Sequence, residues 1–385
     1  MSPATPSRWR RLLPSLVLFV FSVTLALVFA EIAVRLVAPQ PRSEVTAGLY
    51  TPDPPRRYRL RPGHVGTVAN GTEFDTTVTI GEHGLRDEPL VDDRRPRWLV
   101  LGDSYVFGWG VERADTLAHR LDEALPDVEV LNAGTPGFGL PDQVDWLEAH
   151  GLAFAPRRVV LAVFLGNDLL DATSAYREVV IEDGLVAESD RAGGLRAGLW
   201  RHAHLVRLLK NALPPALQLD LRRALGLPEP RTLTYLRDAL GGYALEPTPL
   251  IAEGRETTRR AMDRLMALAA ETPFDVVMVF VPDPLQVDDR RWAFSLDQLV
   301  DEPDAYDPAV PNRFFTELAS TRGVPVLDLV PVFREAMQNA STDDAPLYFR
   351  HDPHWTAAGH ALAAERTSSL VRSLAPPPEE PAGAP

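Results

Sequence analysis

The chain has 385 residues, 45% of them hydrophobic and 24% charged, a balance that excludes a mainly disordered protein and allows one large domain or two ordinary ones. Its 39 Lys and Arg against 53 Asp and Glu leave a net charge of −14, which repels phosphate backbones and argues against a nucleic-acid partner. Cysteine is absent, so disulfides, thiolate nucleophiles and sulfur-ligated zinc drop out, and any nucleophile is oxygen or nitrogen.

The first predicted element is apolar. Leu12 to Ala30 runs 19 residues without a charge, about enough to cross a hydrocarbon layer as a helix. Arg8, Arg10 and Arg11 precede it. By the positive-inside rule, residues 1–11 form a cytoplasmic tail, 12–37 a single-pass anchor in the cell membrane, and the rest lies on the extracytoplasmic, periplasmic side. A cleaved signal peptide is the alternative, since Val28-Phe29-Ala30 offers small residues, but the apolar stretch exceeds the usual signal core.

Residues 38–90 read as an extracytoplasmic spacer followed by a β-hairpin. Pro39 to Pro62 is rich in proline and arginine, a composition that stays extended and solvated. Thr67 to Ile80 alternates polar and β-branched residues around Asn70-Gly71, which predicts a small hairpin on the domain's edge.

From 91 to 374 the pattern changes to apolar, β-rich runs separated by helical stretches. The runs are Trp98 to Leu101, Val128 to Leu131, Val159 to Phe164, Val276 to Val281 and Val324 to Leu329. Continuous apolar runs mean strands buried on both faces, and their alternation with helices argues for an α/β layer with a parallel sheet of at least five strands. Asp115 is expected to cap a helix carrying Leu117, Leu121 and Leu125, and Val144 and Leu147 mark another that ends at Gly151. About 172–257 is a cap-like insertion: a hairpin turning at Asp183-Gly184, then amphipathic helices over Leu199 to Leu225 broken at Pro214-Pro215. Thr257 to Ala270 is the returning crossover helix. Residues 375–385 form a disordered Pro/Ala/Glu tail.

In open α/β sheets ligands bind beyond the carboxyl ends of the strands. The first run ends in Gly102-Asp103-Ser104, the second leads into Asn132 to Gly137, the third ends in Gly166-Asn167-Asp168, and the fifth is followed by His351-Asp352-Pro353-His354-Trp355. A serine hydroxyl needs a base at neutral pH, and a histidine oriented by a carboxylate supplies one. Ser104, His354 and Asp352 fit these roles. The oxyanion of a tetrahedral intermediate needs donors, for which the backbone N–H of Ser104, that of Gly137 and the side-chain amide of Asn167 are the candidates.

Taken together, these four motifs in this order resemble the SGNH, or GDSL-type, hydrolase superfamily over about Arg97 to Leu374, and Gly102 to Gly110 resembles its membrane-anchored bacterial branch. The resemblance implies a flavodoxin-like three-layer α/β/α sandwich, with the N-terminal transmembrane helix and a helical insertion added. It also implies a serine nucleophile at Ser104, a triad with His354 and Asp352, and an oxyanion hole of Ser104, Gly137 and Asn167. The acid usually lies three residues before the histidine, a position held here by His351. The spacing Asp352-x-His354-Trp355 is instead similar to proteins that acetylate alginate and related polysaccharides, where that signature precedes the serine.

Each residue has a plainer reading. Ser104 could be a helix N-cap, Gly137 a turn glycine with Gly134 or Gly139 as the donor, and Asn167 an Asx turn. His351, Asp352, His354 and His360 could instead hold zinc or manganese, with His360 in the first turn of a helix capped by Thr356. Trp109 and Trp355 flank the site, to stack on a sugar or simply to pack. The expected activity is a serine esterase working through an acyl-enzyme, without cofactor or metal, on a small acyl ester or acylated glycan. The alternatives are an O-acetyltransferase of an envelope polysaccharide, a lipase-like enzyme at the membrane surface, and a non-catalytic glycan-binding assembly protein.

Overall fold

The computed structural model describes residues 8–38, 43–71, 73–86, 95–187, 204, 205, 208, 231–341 and 345–377. Met1–Arg42 with Ser189–Glu229 form one compact unit, and Ser43–Glu188 with Pro230–Pro385 a second. In the first, a single helix spans Arg8–Val37, and its stretch Pro14–Val37 is 24 residues of apolar composition, long enough to cross a membrane. Leu16, Phe19 and Phe21 are each more than half exposed, as suits a surface meant for lipid or for a translocation signal. Near its end the Glu31 carboxylate accepts the backbone amides of His204 and Leu205 at 2.9 and 2.7 Å.

The second unit begins with small antiparallel pieces. Strand β1 (Ser43–Val45) pairs with β4 (Val65–Asn70), which pairs with β5 (Phe74–Thr79), while β2 (Tyr50–Pro52) pairs with β3 (Tyr58–Leu60). The β4–β5 hairpin is the one expected around Asn70-Gly71. The solvated spacer is corrected: Leu49, Tyr50, Tyr58 and Leu60 are core residues. Charged neighbours made this stretch look soluble, but its tyrosines and leucines alternate inward, and Arg57 finds a buried partner far along the chain, in Asp142.

The main sheet contains β6 (Arg97–Gly102), β7 (Glu129–Gly134), β8 (Pro156–Phe164), β11 (Asp275–Val281) and β12 (Val326–Asp328). All are parallel in the order β12-β11-β8-β6-β7, which is the flavodoxin-like order 2-1-3-4-5. Strand β12 is shorter than the run Val324 to Leu329 because Pro325 has no N–H to pair; its carbonyl still accepts Met278 N at 2.9 Å. Residues alternate between the faces. Leu99, Leu101, Val159, Leu161 and Met278 pack on helices Leu140–Ala149, Pro249–Glu271 and Val310–Ser320. Trp98, Val100, Val160, Ala162 and Val279 pack on Leu117–Ala124, Val330–Asn339 and Ala357–Ser373. The result is the expected three-layer sandwich.

Helix boundaries moved where two capping residues stood side by side. Thr116, not Asp115, caps the Leu117 helix, its Oγ1 accepting from His119 N at 3.3 Å, while Asp115 ends a separate 3₁₀ turn. The helix of Val144 and Leu147 ends at Ala149, and Gly151 starts a 3₁₀ turn. The crossover helix starts earlier than expected, at Pro249, because Thr248 caps it. In the insertion, β9 (Val180–Glu182) and β10 (Leu185–Ala187) form the hairpin around Asp183-Gly184, and Arg231–Leu240 is helical. The helices expected over Leu199 to Leu225 lie outside the described residues save 204, 205 and 208, as does the tail beyond 377.

Candidate active site

The crevice lies at the carboxyl ends of β6 and β8, where the strand order reverses and the crossovers leave on opposite faces. Right after β6, Asp103 caps the short helix Ser104–Phe107, its Oδ1 accepting Tyr105 N at 2.9 Å. The cap is therefore Asp103, and the Ser104 hydroxyl has a further contact of its own. That contact is His354: Nε2 lies 2.7 Å from Ser104 Oγ. His354 Nδ1 lies 2.5 Å from Asp352 Oδ1, which also accepts the His354 backbone N–H at 3.0 Å. The carboxylate two residues before the histidine is thus the one in contact, and His351 is exposed.

Burial pushes the Asp352 carboxyl up, but hydrogen bonds from His354 and from Asn70 outweigh it and hold the group below its ordinary value. Asp103, fully enclosed, is pushed up to about 6 by burial, against the Tyr105 amide and the charge of His354. Tyr105 fixes the histidine loop from below: its hydroxyl donates to Pro353 O at 2.7 Å, and its ring lies 5.0 Å from the His354 ring.

The Thr135-Pro136-Gly137 turn follows β7, and Gly137 has φ +78, which only glycine adopts without strain. The turn is held from β3 and the residue before it. Tyr58 Oη donates to Pro136 O at 2.8 Å, and Arg57 Nη1 donates to Gly137 O at 2.7 Å while also pairing with Asp142 at 2.8 Å. Among the described residues, neither the Ser104 nor the Gly137 backbone N–H has an acceptor. Asn132 is fully buried and braces the same region, its amide donating to Val106 O at 2.9 Å. Asn167 faces the crevice, but its Nδ2 donates to Tyr235 Oη at 2.5 Å, from helix Arg231–Leu240. Behind it, burial holds Asp168 well above the usual carboxylate range and Asp171 at about 8.

Ser104, Gly137, Asn167, Asp352 and His354 line one cleft of about 680 Å³, with Tyr50, Tyr58, Trp109, Tyr235 and Tyr243 among its walls. Trp109 borders it as expected. Trp355 does not: it is fully buried, stacked on Phe333 at 5.1 Å, and is core. The histidine cluster is divided as well. His360, in the first turn of helix Ala357–Ser373, is buried with Nδ1 accepting Leu117 N at 3.2 Å. Thr356 precedes that helix, but its hydroxyl donates to Pro346 O instead of capping it. Arg57, Tyr58, Asn70, Glu73 and Tyr235 escaped the sequence reading, since none carries a motif; only the Asn70-Gly71 turn was visible, and as a turn.

Residues 244–384 match the family model described as the SGNH hydrolase-like domain of acetyltransferase AlgX. Residues 244–384 are thus similar to an SGNH hydrolase-like domain. The matched stretch holds Asp352 and His354; Ser104, Gly137 and Asn167 lie before it. Among solved structures, the chain is similar to a putative G-D-S-L family lipolytic protein from Desulfitobacterium hafniense, at 15% identity and a TM-score of 0.38, covering 72% of this chain and 99% of that one. It is also similar to the acetyl xylan esterase AlAXEase, at 14% identity and a TM-score of 0.40, covering 71% and 99%. The lipase/acylhydrolase from Enterococcus faecalis stands at 14% identity and a TM-score of 0.37, covering 73% and 98%. No curated protein matches the chain.

Proposed function

We propose that this protein is a membrane-anchored, extracytoplasmic serine esterase that transfers the acyl group of a small ester, an acetyl on a glycan, to its own Ser104. The observation that carries the reading is the unbroken chain from Ser104 Oγ to His354 Nε2 at 2.7 Å and from His354 Nδ1 to Asp352 Oδ1 at 2.5 Å. His354 takes the proton of Ser104 as Oγ attacks the ester carbonyl, and Asp352 stabilises the imidazolium that forms. The carbonyl oxygen becomes an oxyanion, received by the N–H groups of Ser104 and Gly137 and by the Asn167 amide. The intermediate collapses, His354 returns its proton to the leaving alcohol, and an ester on Ser104 remains.

Water activated by the same histidine then releases the acid. A sugar hydroxyl in its place makes the enzyme an O-acetyltransferase, and the match to the AlgX acetyltransferase domain favours that second reading. The arginines at 8, 10 and 11 before the apolar helix support a cytoplasmic N-terminus and an extracytoplasmic site.

The test is incubation of the full chain in detergent with an activated acetyl ester, followed by intact mass of the quenched protein. Wild type gains about 42 Da, the mass of an acetyl group replacing a proton, and turns the ester over; Ser104→Ala, equally folded, does neither. Undiminished turnover by Ser104→Ala sinks the mechanism, and saturable sugar binding without any turnover by wild type turns the reading to a binding protein.

A further inference from the structure

The loop that carries Asp352 and His354 leaves and rejoins the core through an isolated bridge between Tyr348 and Trp355, inside which Phe349 N donates to His354 O at 3.0 Å. The base of the loop is thereby closed, and its outer turn, 350–352, lies beyond that bridge. What meets it is the tip of the β4–β5 hairpin, with three different contacts. Phe74 packs on Phe349 at 4.8 Å between ring centroids. Glu73 takes the backbone amides of Arg350 at 2.6 Å and His351 at 3.0 Å. Asn70 Nδ2 donates to Asp352 Oδ2 at 2.9 Å.

The two oxygens of Asp352 are thus divided. Oδ1 serves His354, accepting from both its ring and its backbone N–H, and Oδ2 serves Asn70. A carboxylate bound through one oxygen can swing about its terminal torsion, which is broad; a donor on the second oxygen fixes its plane and stabilises the charged form. We propose that Asn70 is a positioning residue of this site, holding Asp352 so that His354 keeps the tautomer and direction needed to accept the Ser104 proton. The inference rests on the Ser104–His354–Asp352 reading above. It makes the β-hairpin, 282 positions away in sequence from the carboxylate it holds, a working part of the site instead of an edge decoration.

The test compares the full chain in detergent as wild type, Ser104→Ala, Asn70→Ala and Asn70→Asp, with p-nitrophenyl acetate as the probe. Asn70→Ala is expected to lower kcat about tenfold with KM within about twofold, because the donor touches no substrate. Asn70→Asp keeps the size and turn preference of asparagine, so it separates positioning from folding. Two carboxyls in contact share a proton at low pH and cannot both ionise cheaply. At pH 6 the new carboxyl donates to Asp352 as the amide did, and at pH 8.5 it repels it. The ratio of kcat for Asn70→Asp to that for Asn70→Ala should therefore fall about tenfold between those pH values. The other titratable groups around this pair are Asp103 and His360, which sense the charge of His354, Tyr105, which senses that of Asp352, and Glu73 on the adjoining amides; all are common to both variants and cancel in the ratio.

A ratio that stays constant with pH, a kcat within twofold of wild type in both variants, or losses that follow the folded fraction in melting curves would each overturn the proposal. Retained turnover in Ser104→Ala would overturn instead the serine reading beneath it.

Discussion

Replacing Arg57 by methionine keeps most of the apolar stem and removes the guanidinium, and the structure gives the cost. Arg57 is about 10% exposed and Asp142, its partner at 2.8 Å, about 3%. Breaking a buried pair by removing one member costs about 3 to 5 kcal/mol, because the remaining charge is stranded. Here Arg177 stays on the other oxygen of Asp142 at 3.0 Å, which softens the loss. Against that, the carbonyls of Gly137 and Tyr176 lose donors at 2.7 and 2.9 Å, each worth about 1 kcal/mol. We expect a net destabilisation of about 3 kcal/mol at pH 7.5, a large part of an ordinary domain's stability. Burial already pushes Asp142 above its usual range despite both arginines, and losing Arg57 pushes it further. A carboxyl raised in the folded state destabilises fully above its folded pKa, and the penalty fades as pH falls toward its unfolded value near 4. Urea titrations of the full chain in detergent at pH 7.5 and 5 should therefore show the gap to wild type closing on acidification, with an unchanged denaturant slope. A gap below about 1 kcal/mol at pH 7.5, or one that widens at pH 5, would refute this account of Arg57.

Other outcomes follow from the same geometry. Gly137→Ala would force a left-handed φ on an L-residue, at about 1 to 2 kcal/mol, and set a Cβ 2.8 Å from Tyr58 Oη. The turn must shift, and we expect kcat on an activated acetyl ester to drop about a hundredfold; a variant within twofold of wild type would remove Gly137 from the site. His360 is held down to about 3, first by burial and then by the charge of Arg86. A histidine depressed in this way contributes stability that is whole above pH 6.5 and is lost as pH falls toward 3, on the order of 4 kcal/mol over the window. His360→Gln should flatten that acid limb in melts between pH 7 and 4, and an unaltered limb would place the titration elsewhere.

The five sheet strands were legible because strands covered by helices on both faces must be apolar at every position, a pattern little else imitates. Of the candidate site residues, Ser104, Gly137 and Asn167 could be singled out because they stand just after strand ends, and Asp352 and His354 because a carboxylate stands two residues before a histidine beyond the helix that follows the last strand. What was hidden acts through single hydrogen bonds across the fold. Arg57 reaches Gly137 from 80 positions away and Asn70 reaches Asp352 from 282, and no local pattern distinguishes such an arginine or asparagine from a solvated one. The same blindness misplaced the stretch before Pro62: its charges looked like a reason to stay in water, when one of them was spoken for by a buried aspartate. Trp355 sits beside His354 in sequence, yet its ring turns inward on Phe333, which alternation along an extended segment permits and composition does not reveal.

Ser104 and His354 are 250 positions apart, and this separation has a meaning for how the protein is made. A ribosome adding about 5 to 20 residues each second needs roughly 12 to 50 s to pass from one to the other. During that interval the serine has been made and its proposed base has not. Closing so long a loop is slow, and on the proposed mechanism the hydroxyl stays inert in every chain that ends before His354. On the proposed mechanism, then, the serine is silent in transit and becomes a nucleophile only when the two distant segments have met.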